Sequence, residues 1–139
     1  MKLKATGILA TSILILYLAS CESDAGIEFK RYYSTGALVY QTHCQNCHAP
    51  DGQGLSDLIP PLTDSSYLKN NKGALACFIK SGLKGPITIN SKAFDDAMPA
   101  NDISPIEVAQ VLTYIGNSFG NTLNTINEQV VQADLTKCK

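Results

Sequence analysis

The sequence predicts an all-α domain whose helices are joined by long ordered loops, with almost no strand. Three observations carry that reading. Residues 104–120 hold the marks of a well-capped amphipathic helix. Leu75, Phe78, Ile79 and Gly82 fall at i, i+3, i+4 and i+7, which gives one apolar or small face with helical period. Ala49 to Asp64 and Lys84 to Ala100 are interrupted by glycine and proline and read as loop. Loops of that length are hard to hold in a small domain unless something inside binds them.

In chain order, Glu22 to Arg31 is polar with no apolar period, and reads as a short tether. A first helix is expected from near Ser34 or Thr35, whose hydroxyls can cap its free N–H groups, through Ala37, Leu38 and Tyr40 to about Cys44. The loop that follows holds Gly52, Gly54, Pro60 and Pro61. A second helical stretch starts at about Ser66, is renewed near Lys72 and is ended by Gly82. Beyond it, Gly85-Pro86 and Met98-Pro99 punctuate an irregular loop in which Ile87-Thr88-Ile89 is a candidate brief strand. The clearest element comes next. Ser104 is a good N-cap, Pro105 suits the first helical position and Glu107 completes a capping box. Val108, Val111, Leu112, Ile115 and Phe119 form the apolar stripe, and Gly120 supplies a stop. A last short helix is expected after Thr125, with Glu128 three residues on as a second capping box. There is no internal repeat and no low-complexity segment.

The first twenty residues do not read as folded protein. Lys2 and Lys4 precede an apolar run from Ile8 to Ala19, too short for a comfortable membrane span, which needs about 20 residues. A basic start, an apolar run and then small residues is the layout of an export signal. Leu18-Ala19-Ser20-Cys21 resembles a lipobox, where bacterial lipoproteins are acylated on cysteine and cleaved just before it. The alternatives are an ordinary signal with an incidental cysteine, or an uncleaved anchor helix. The agreement of basic start, apolar run and cysteine favours the lipobox. The expected organisation is therefore a signal peptide over 1–20, a lipidated tether over 21–33 and one domain with a C-terminal extension over 34–139. Removing residues 1–20 from the 139 leaves 119, which suits a single domain with a modest core. Without Lys2 and Lys4, nine basic residues face twelve acidic ones, a net charge of −3. No basic patch or stripe points to nucleic acid. Attachment to the membrane rests on the lipid.

Outside the cytoplasm thiols are usually oxidised or otherwise occupied. The chain has five cysteines: Cys21, Cys44, Cys47, Cys77 and Cys138. If Cys21 carries lipid and Cys44 with Cys47 carries a cofactor, two remain, enough for one disulfide with no odd thiol.

Cys44-Gln45-Asn46-Cys47-His48 carries the chemistry. C-x-x-C-H is the haem c attachment motif. Two sulfurs so spaced can add to the two vinyl groups on one edge of a haem, and the next residue then lies under the ring with its imidazole at the iron. Haem is attached outside the cytoplasm, which agrees with the export signal. Three other readings weigh less. A thioredoxin-like C-x-x-C belongs near a βαβ pattern, which is absent. A zinc site usually needs a second ligand pair, and there is no second C-x-x-C. A plain Cys44–Cys47 disulfide leaves His48 without a role.

The iron needs a sixth ligand or a vacancy. Beyond the signal, Met98 is the one methionine, in a proline-containing loop just before the capped helix. A lone methionine is ordinarily core filler, but this one lies off any apolar stripe, and its thioether would favour reduced iron and raise the potential. His43, beside Cys44, is tied to the wrong side of the ring and reads as a surface residue. A ligating histidine usually donates its other N–H to an acceptor, and a carbonyl in Ile59-Pro60-Pro61 is the candidate, the alternative being a simple turn. Gly52 and Gly54 serve either a tight turn or a close approach of backbone to haem.

With these residues in view, the domain resembles the class I (mono-haem) c-type cytochromes over about Ser34 to Gly120. The resemblance rests on Gly36 and Tyr40, Cys44 to His48, Gly52-x-Gly54, Pro60-Pro61-Leu62, Met98-Pro99 and the helix with Leu112 and Tyr114. It implies a cytochrome c-like fold wrapped around one covalent haem c, first and last helices crossing near Gly36 and Tyr40, His48 and Met98 on opposite sides of the iron, and a carbonyl of Pro60 or Pro61 on the histidine's second nitrogen. Cys77 to Pro99 is similar to a bacterial subgroup that includes small lipoproteins. Cys77 and Cys138 depart from the general pattern and are expected to form a disulfide that ties the tail to the middle helix.

The function expected is one-electron transfer by an electron carrier, not an enzyme, exported and lipid-anchored to a bacterial membrane facing the periplasm. Its expected partners are redox proteins: an oxidase, a reductase, a dehydrogenase or another cytochrome. It could serve as the electron-transfer subunit of an oxidoreductase. The rival class is an enzyme or sensor in which Met98 leaves the iron open to peroxide or a small gas. Asp95 and Asp96, near Met98, read as solvated acids. Lys69, Lys72, Lys80, Lys84 and Lys92 read either as a local steering ring or, more plainly, as solvated surface.

Overall fold

The computed structural model describes residues 23–138. The basic start, the apolar run and Cys21 lie outside the described residues, and so do the readings that rest on them.

Helix α1 spans Asp24–His43, 20 residues and about 30 Å long at 1.5 Å per residue. Ser23 caps it by accepting the Gly26 N–H at 3.3 Å, and Asp24 places a negative charge in the first turn. The expected start near Ser34 is thus corrected by ten residues. Most of the stretch read as tether is helix, and no break separates 33 from 34. Ser23-Asp24 is a competent cap that the polar composition of the following turns hid. Ser34 lies inside the helix, its hydroxyl bonded back to the Arg31 carbonyl at 3.3 Å. Tyr32, Gly36, Val39 and Tyr40 form the buried stripe.

The stripe lies against α5, Pro105–Ile115, the most extensive contact between elements among the described residues. The crossing is close enough to require glycine: a Cβ on Gly36 would lie 2.0 Å from the Gln110 carbonyl oxygen and 2.9 Å from Tyr114 Cβ. Around it Tyr33 and Tyr40 meet Tyr114 with ring centroids 5.2 and 5.4 Å apart, and Phe119 joins at 5.3 Å from Tyr40. These are favourable offset or tilted geometries. At the N-terminus of α5, the Glu107 carboxylate accepts both the Ser104 N–H and the Ser104 hydroxyl, at 2.8 and 2.6 Å.

Two expected helix limits are corrected. Helix α5 ends at Ile115, not at Gly120, because Asn117 turns its amide back to the Thr113 carbonyl at 2.8 Å and breaks the backbone ladder. Phe119 therefore reaches the aromatic cluster from a turn, at φ 57, and not from the helical stripe. The last helix, α6 (Glu128–Leu135), is capped by Asn127, whose side chain accepts the Val130 N–H at 3.1 Å; Thr125 is not its cap. Ile126 cannot join the helix because the buried Thr113 hydroxyl holds both its N–H and its carbonyl.

Three shorter helices lie between. The single turn α2 (Gln45–His48) follows α1 directly. In α3 (Ser65–Asn70) the Asp64 carboxylate accepts the Ser66 and Tyr67 N–H groups. Helix α4 (Leu75–Ser81) ends at Gly82, as expected, with φ 77. The expected strand is present as β1 (Ile87–Ile89), and it pairs antiparallel with β2 (Lys92–Phe94), Ile87 opposite Phe94. The pair closes through Asn90 and Ser91, both left-handed at φ 50 and 63, the pattern of a type I′ turn. Cys77 on α4 and Cys138 after α6 are bonded, with Cα atoms 5.5 Å apart across 61 residues of chain. Among the described residues no helix is long and apolar enough to cross a membrane.

Candidate functional site

The C-x-x-C-H motif is held by one turn of helix. Cys44 ends α1, its N–H bonded to the Tyr40 carbonyl at 2.9 Å, and its own carbonyl accepts the N–H groups of Cys47 and His48. The turn buries Cys44 to 9% exposure and leaves Cys47 exposed. The two sulfurs are not bonded to each other. Burial, and then the neighbouring Cys47, pushes the Cys44 thiol up to about 11. Below the turn the Tyr40 hydroxyl donates to the Ala49 carbonyl at 2.6 Å, tying the residue after His48 to α1.

His48 Nδ1 lies 3.2 Å from the Pro60 carbonyl. With the proton on Nδ1, Nε2 carries the free lone pair. Burial lowers the imidazole's pKa, while the Pro60 carbonyl acts in the opposite direction. The neutral ring is the form that ligates a metal, and an oriented Nδ1–H is the usual support for it. Of the two candidate prolines, Pro60 makes this bond; Pro61 contributes to a cavity wall. Gly52 and Gly54, both at φ 70, make the turn that brings Pro60 back. A Cβ on Gly54 would lie 2.2 Å from the Ile59 carbonyl oxygen, and one on Gly52 would lie 2.6 Å from the Phe119 ring. Their close approaches are to the chain itself.

Met98 is fixed from the other side. Leu83 and Met98 exchange both backbone hydrogen bonds, at 3.0 and 2.9 Å. A Cβ on Gly82 would lie 2.5 Å from the Met98 carbonyl oxygen. The end of α4 thus anchors the methionine loop.

Two cavities lie between these segments, an inner one of about 730 Å³ and an outer one of about 540 Å³, counting the open space at their mouths. They share His48, Pro60, Leu83, Ile87 and Met98 as walls. Cys44, Tyr67, Phe78 and Leu112 belong to the inner one, and Cys47, Leu58, Phe94 and Asp96 to the outer. One thiol therefore lines each of two adjoining, largely apolar cavities, and the imidazole and the thioether line both. Asp64, also on the inner wall, is spent on capping α3. The donor set suits haem c: sulfurs for two thioether links, a neutral nitrogen and a soft sulfur for the iron. It does not suit a bare metal ion, because no group of three or more His, Cys, Asp or Glu side chains converges among the described residues.

Other expectations fall outside this space. His43 is exposed on the last turn of α1. None of the five lysines lines either cavity. Lys80 is bound by Asp102 and the Ile103 carbonyl, while Lys92 is bound by Asp57 and the Ser56 carbonyl. Asp95 is exposed, and Asp96 sits on the outer wall.

One supporting residue gave no sign in the sequence. The buried Asn121 amide donates to the carbonyls of Leu62 and Ile115, at 2.7 and 3.0 Å, and its oxygen accepts the Ser65 hydroxyl at 2.8 Å. It ties the proline wall to the end of α5. An asparagine after Phe119-Gly120 reads only as turn.

Comparison with known proteins agrees with this geometry. Residues 32–115 match the family model described as cytochrome c oxidase, cbb3-type, subunit III. The cytochrome c subunit of an alcohol dehydrogenase (quinone) from Gluconobacter oxydans is 33% identical over 91 residues, covering 63% of this chain but only 19% of that protein. Cytochrome c-552 from Thermus thermophilus is 29% identical over 91 residues, covering 62% of this chain and 69% of the relative. The chain belongs to the family of cytochrome c oxidase, cbb3-type, subunit III, and is a class I c-type cytochrome: an electron-transfer protein of cytochrome c-like fold with covalently bound haem c.

Proposed function

We propose that the protein is a one-electron relay, exported and anchored to a bacterial membrane by lipid on Cys21, with its haem iron held between His48 and Met98. The observation that carries this reading is that His48 and Met98 share the walls of both cavities while His48 Nδ1 is already engaged by Pro60. Bound haem supplies an iron couple that gains and loses one electron. The chain's own residues do the rest. Cys44 and Cys47 would hold the group by two thioether bonds. His48 presents Nε2, oriented through Pro60. Met98 presents a soft thioether, which favours the reduced state. The apolar walls exclude water and so disfavour the added charge of the oxidised state. If His48 and Met98 both bound the iron, no site would remain for a substrate, and the redox couple would be the function.

The Gluconobacter relative is named as a cytochrome subunit of a quinone alcohol dehydrogenase. We propose partners of the same broad kind for this chain: a dehydrogenase, reductase, oxidase or another cytochrome. The test is a visible absorption spectrum of the haem-loaded protein, oxidised and reduced, beside its Met98→Ala variant. Sharp reduced bands and a weak far-red sulfur–iron band in the oxidised protein, with that band lost in the variant, are expected. A high-spin spectrum that shifts with carbon monoxide in the unaltered protein would overturn the ligation and favour a gas- or peroxide-binding role.

A further inference from the structure

A row of phenols runs from the surface of the α1–α5 crossing to the turn that holds His48. The chain has six tyrosines and no tryptophan, so phenols are its most readily oxidised aromatic side chains. Three of the six stand in line. Tyr33 meets Tyr114 with ring centroids 5.2 Å apart, and Tyr114 meets Tyr40 at 5.4 Å. Tyr33 is half-buried, whereas Tyr40 is 1% exposed, so the row leads inward. Phe29 lies on the outer ring at 5.7 Å, and Phe119 lies against Tyr40 and Tyr114 at 5.3 and 5.7 Å. A phenyl ring is far harder to oxidise than a phenol. The two phenylalanines therefore insulate the row without extending it.

The hydroxyls at the two ends differ in a way that packing does not require. The Tyr33 hydroxyl lies 3.0 Å from the Ser118 hydroxyl, and either oxygen can donate. Both residues keep access to solvent. A proton can leave Tyr33 and return on that side. The Tyr40 hydroxyl donates to the Ala49 carbonyl at 2.6 Å, and Ala49 follows His48 directly in the chain. A peptide carbonyl is no base, so Tyr40 keeps its proton. Its bond instead links the row to the residue beside the proposed iron ligand. Phenylalanine would serve the ring contacts alone equally well.

We propose that Tyr33, Tyr114 and Tyr40 form a drain that passes an oxidising hole from the protein surface to the reduced haem, a radical-quenching function distinct from exchange with a redox partner. The proposal rests on the electron-relay reading above, through His48 as an iron ligand.

The electrons balance in two steps. A one-electron oxidising radical takes an electron from Tyr33, whose hydroxyl loses its proton toward Ser118 and solvent. The Tyr33 phenoxyl then regains one electron by way of Tyr114 and Tyr40, and one proton from the same side, while ferrous iron becomes ferric. No bond between heavy atoms forms or breaks. A phenoxyl radical is a far stronger oxidant than a ferric haem, so the transfer runs inward. Left in place, the phenoxyl would couple to a second phenol and damage the chain permanently.

Pulse radiolysis of the haem-loaded, reduced protein tests it, with the azide radical as oxidant at a dose below one radical per molecule. The radical becomes azide as it oxidises either the haem directly or a tyrosine. Direct attack gives a haem-oxidation phase whose rate scales with concentration. The drain adds a slower first-order phase that does not. Y33F should abolish that phase, and Y114F and Y40F should slow it several-fold. Y32F should leave it unchanged, since Tyr32 faces Arg31 and stands outside the row. Peptide mass mapping gives a second readout that needs no variant. Oxidation products at Tyr33 should accumulate in the ferric protein and be spared in the ferrous one. A first-order phase that survives in Y33F, or Tyr33 products equal in the two oxidation states, would overturn the drain and leave the relay intact. Absence of reversible reduction in the unaltered protein would instead overturn the relay, and the drain with it.

Discussion

Replacing Gly36 by alanine perturbs the crossing of α1 and α5 at its tightest point. The added Cβ would sit 2.0 Å from the Gln110 carbonyl oxygen and 2.6 Å from its carbon, whereas ordinary contact begins at 3.4 Å. Neither neighbour is a flexible side-chain end; both belong to the backbone of α5. The helices must separate locally by about 1.4 Å, the difference between 3.4 and 2.0. That separation also pulls Tyr114 from Tyr33 and Tyr40, whose rings it meets on the α1 side. Overpacking of this kind costs about 3 kcal/mol or more. With a urea slope of about 2 kcal/mol per molar, the unfolding midpoint should fall by about 1.5 M. Gly73 is the control, because a Cβ there would find only the Asp134 carboxylate, at 3.9 Å. Gly73→Ala should leave stability within about 0.5 kcal/mol. Urea titrations followed by circular dichroism on the haem-loaded proteins compare the two. A loss below about 0.5 kcal/mol for Gly36→Ala would refute the backbone-contact argument.

Other perturbations follow from the same contacts. Replacing Cys77 and Cys138 together by serine opens a loop spanning 61 residues and should cost up to about 4 kcal/mol in a non-reducing urea titration, with the haem spectrum unchanged. Asn121→Ala leaves the Leu62 and Ile115 carbonyls and the Ser65 hydroxyl without their partner, and should cost roughly 2–3 kcal/mol by the same titration. The Ser104 hydroxyl, and then its N–H, hold the Glu107 carboxyl below its usual range. A depressed carboxyl stabilises the fold above its unfolded pKa and loses that contribution as pH falls through its folded pKa. Glu107→Gln should therefore reduce stability at neutral pH and shrink the difference between the two proteins under acid conditions, read as melting temperature against pH.

Much of this was legible because local chemistry decided it. The capping residues at Ser104 to Glu107 act within one turn, so the helix start needs no tertiary information. The C-x-x-C-H turn and the proline carbonyl are likewise short-range. Structure departs from local pattern where a distant partner outweighs it. Tyr32 and Gly36 earn their place by facing α5, so the extent of α1 was hidden among polar residues. Thr113 holds Ile126 from thirteen residues away and delays the last helix. Phe119 continued a helical period on paper, yet Asn117 ended the helix before it. The sequence marks only the first strand of the β-hairpin, because Asn90-Ser91 is a weaker turn signal than asparagine with glycine. Asn121 and the cavity walls could be found only once the loops were folded.

The most direct test is the intact mass, under denaturing conditions, of the protein made in cells that attach haem to other proteins, beside that of a Cys44→Ser/Cys47→Ser variant. The expected result is a polypeptide heavier by one haem that survives unfolding, and the loss of that mass in the variant. A bare polypeptide with two free thiols at Cys44 and Cys47, obtained from cells that attach haem to other proteins, would contradict it.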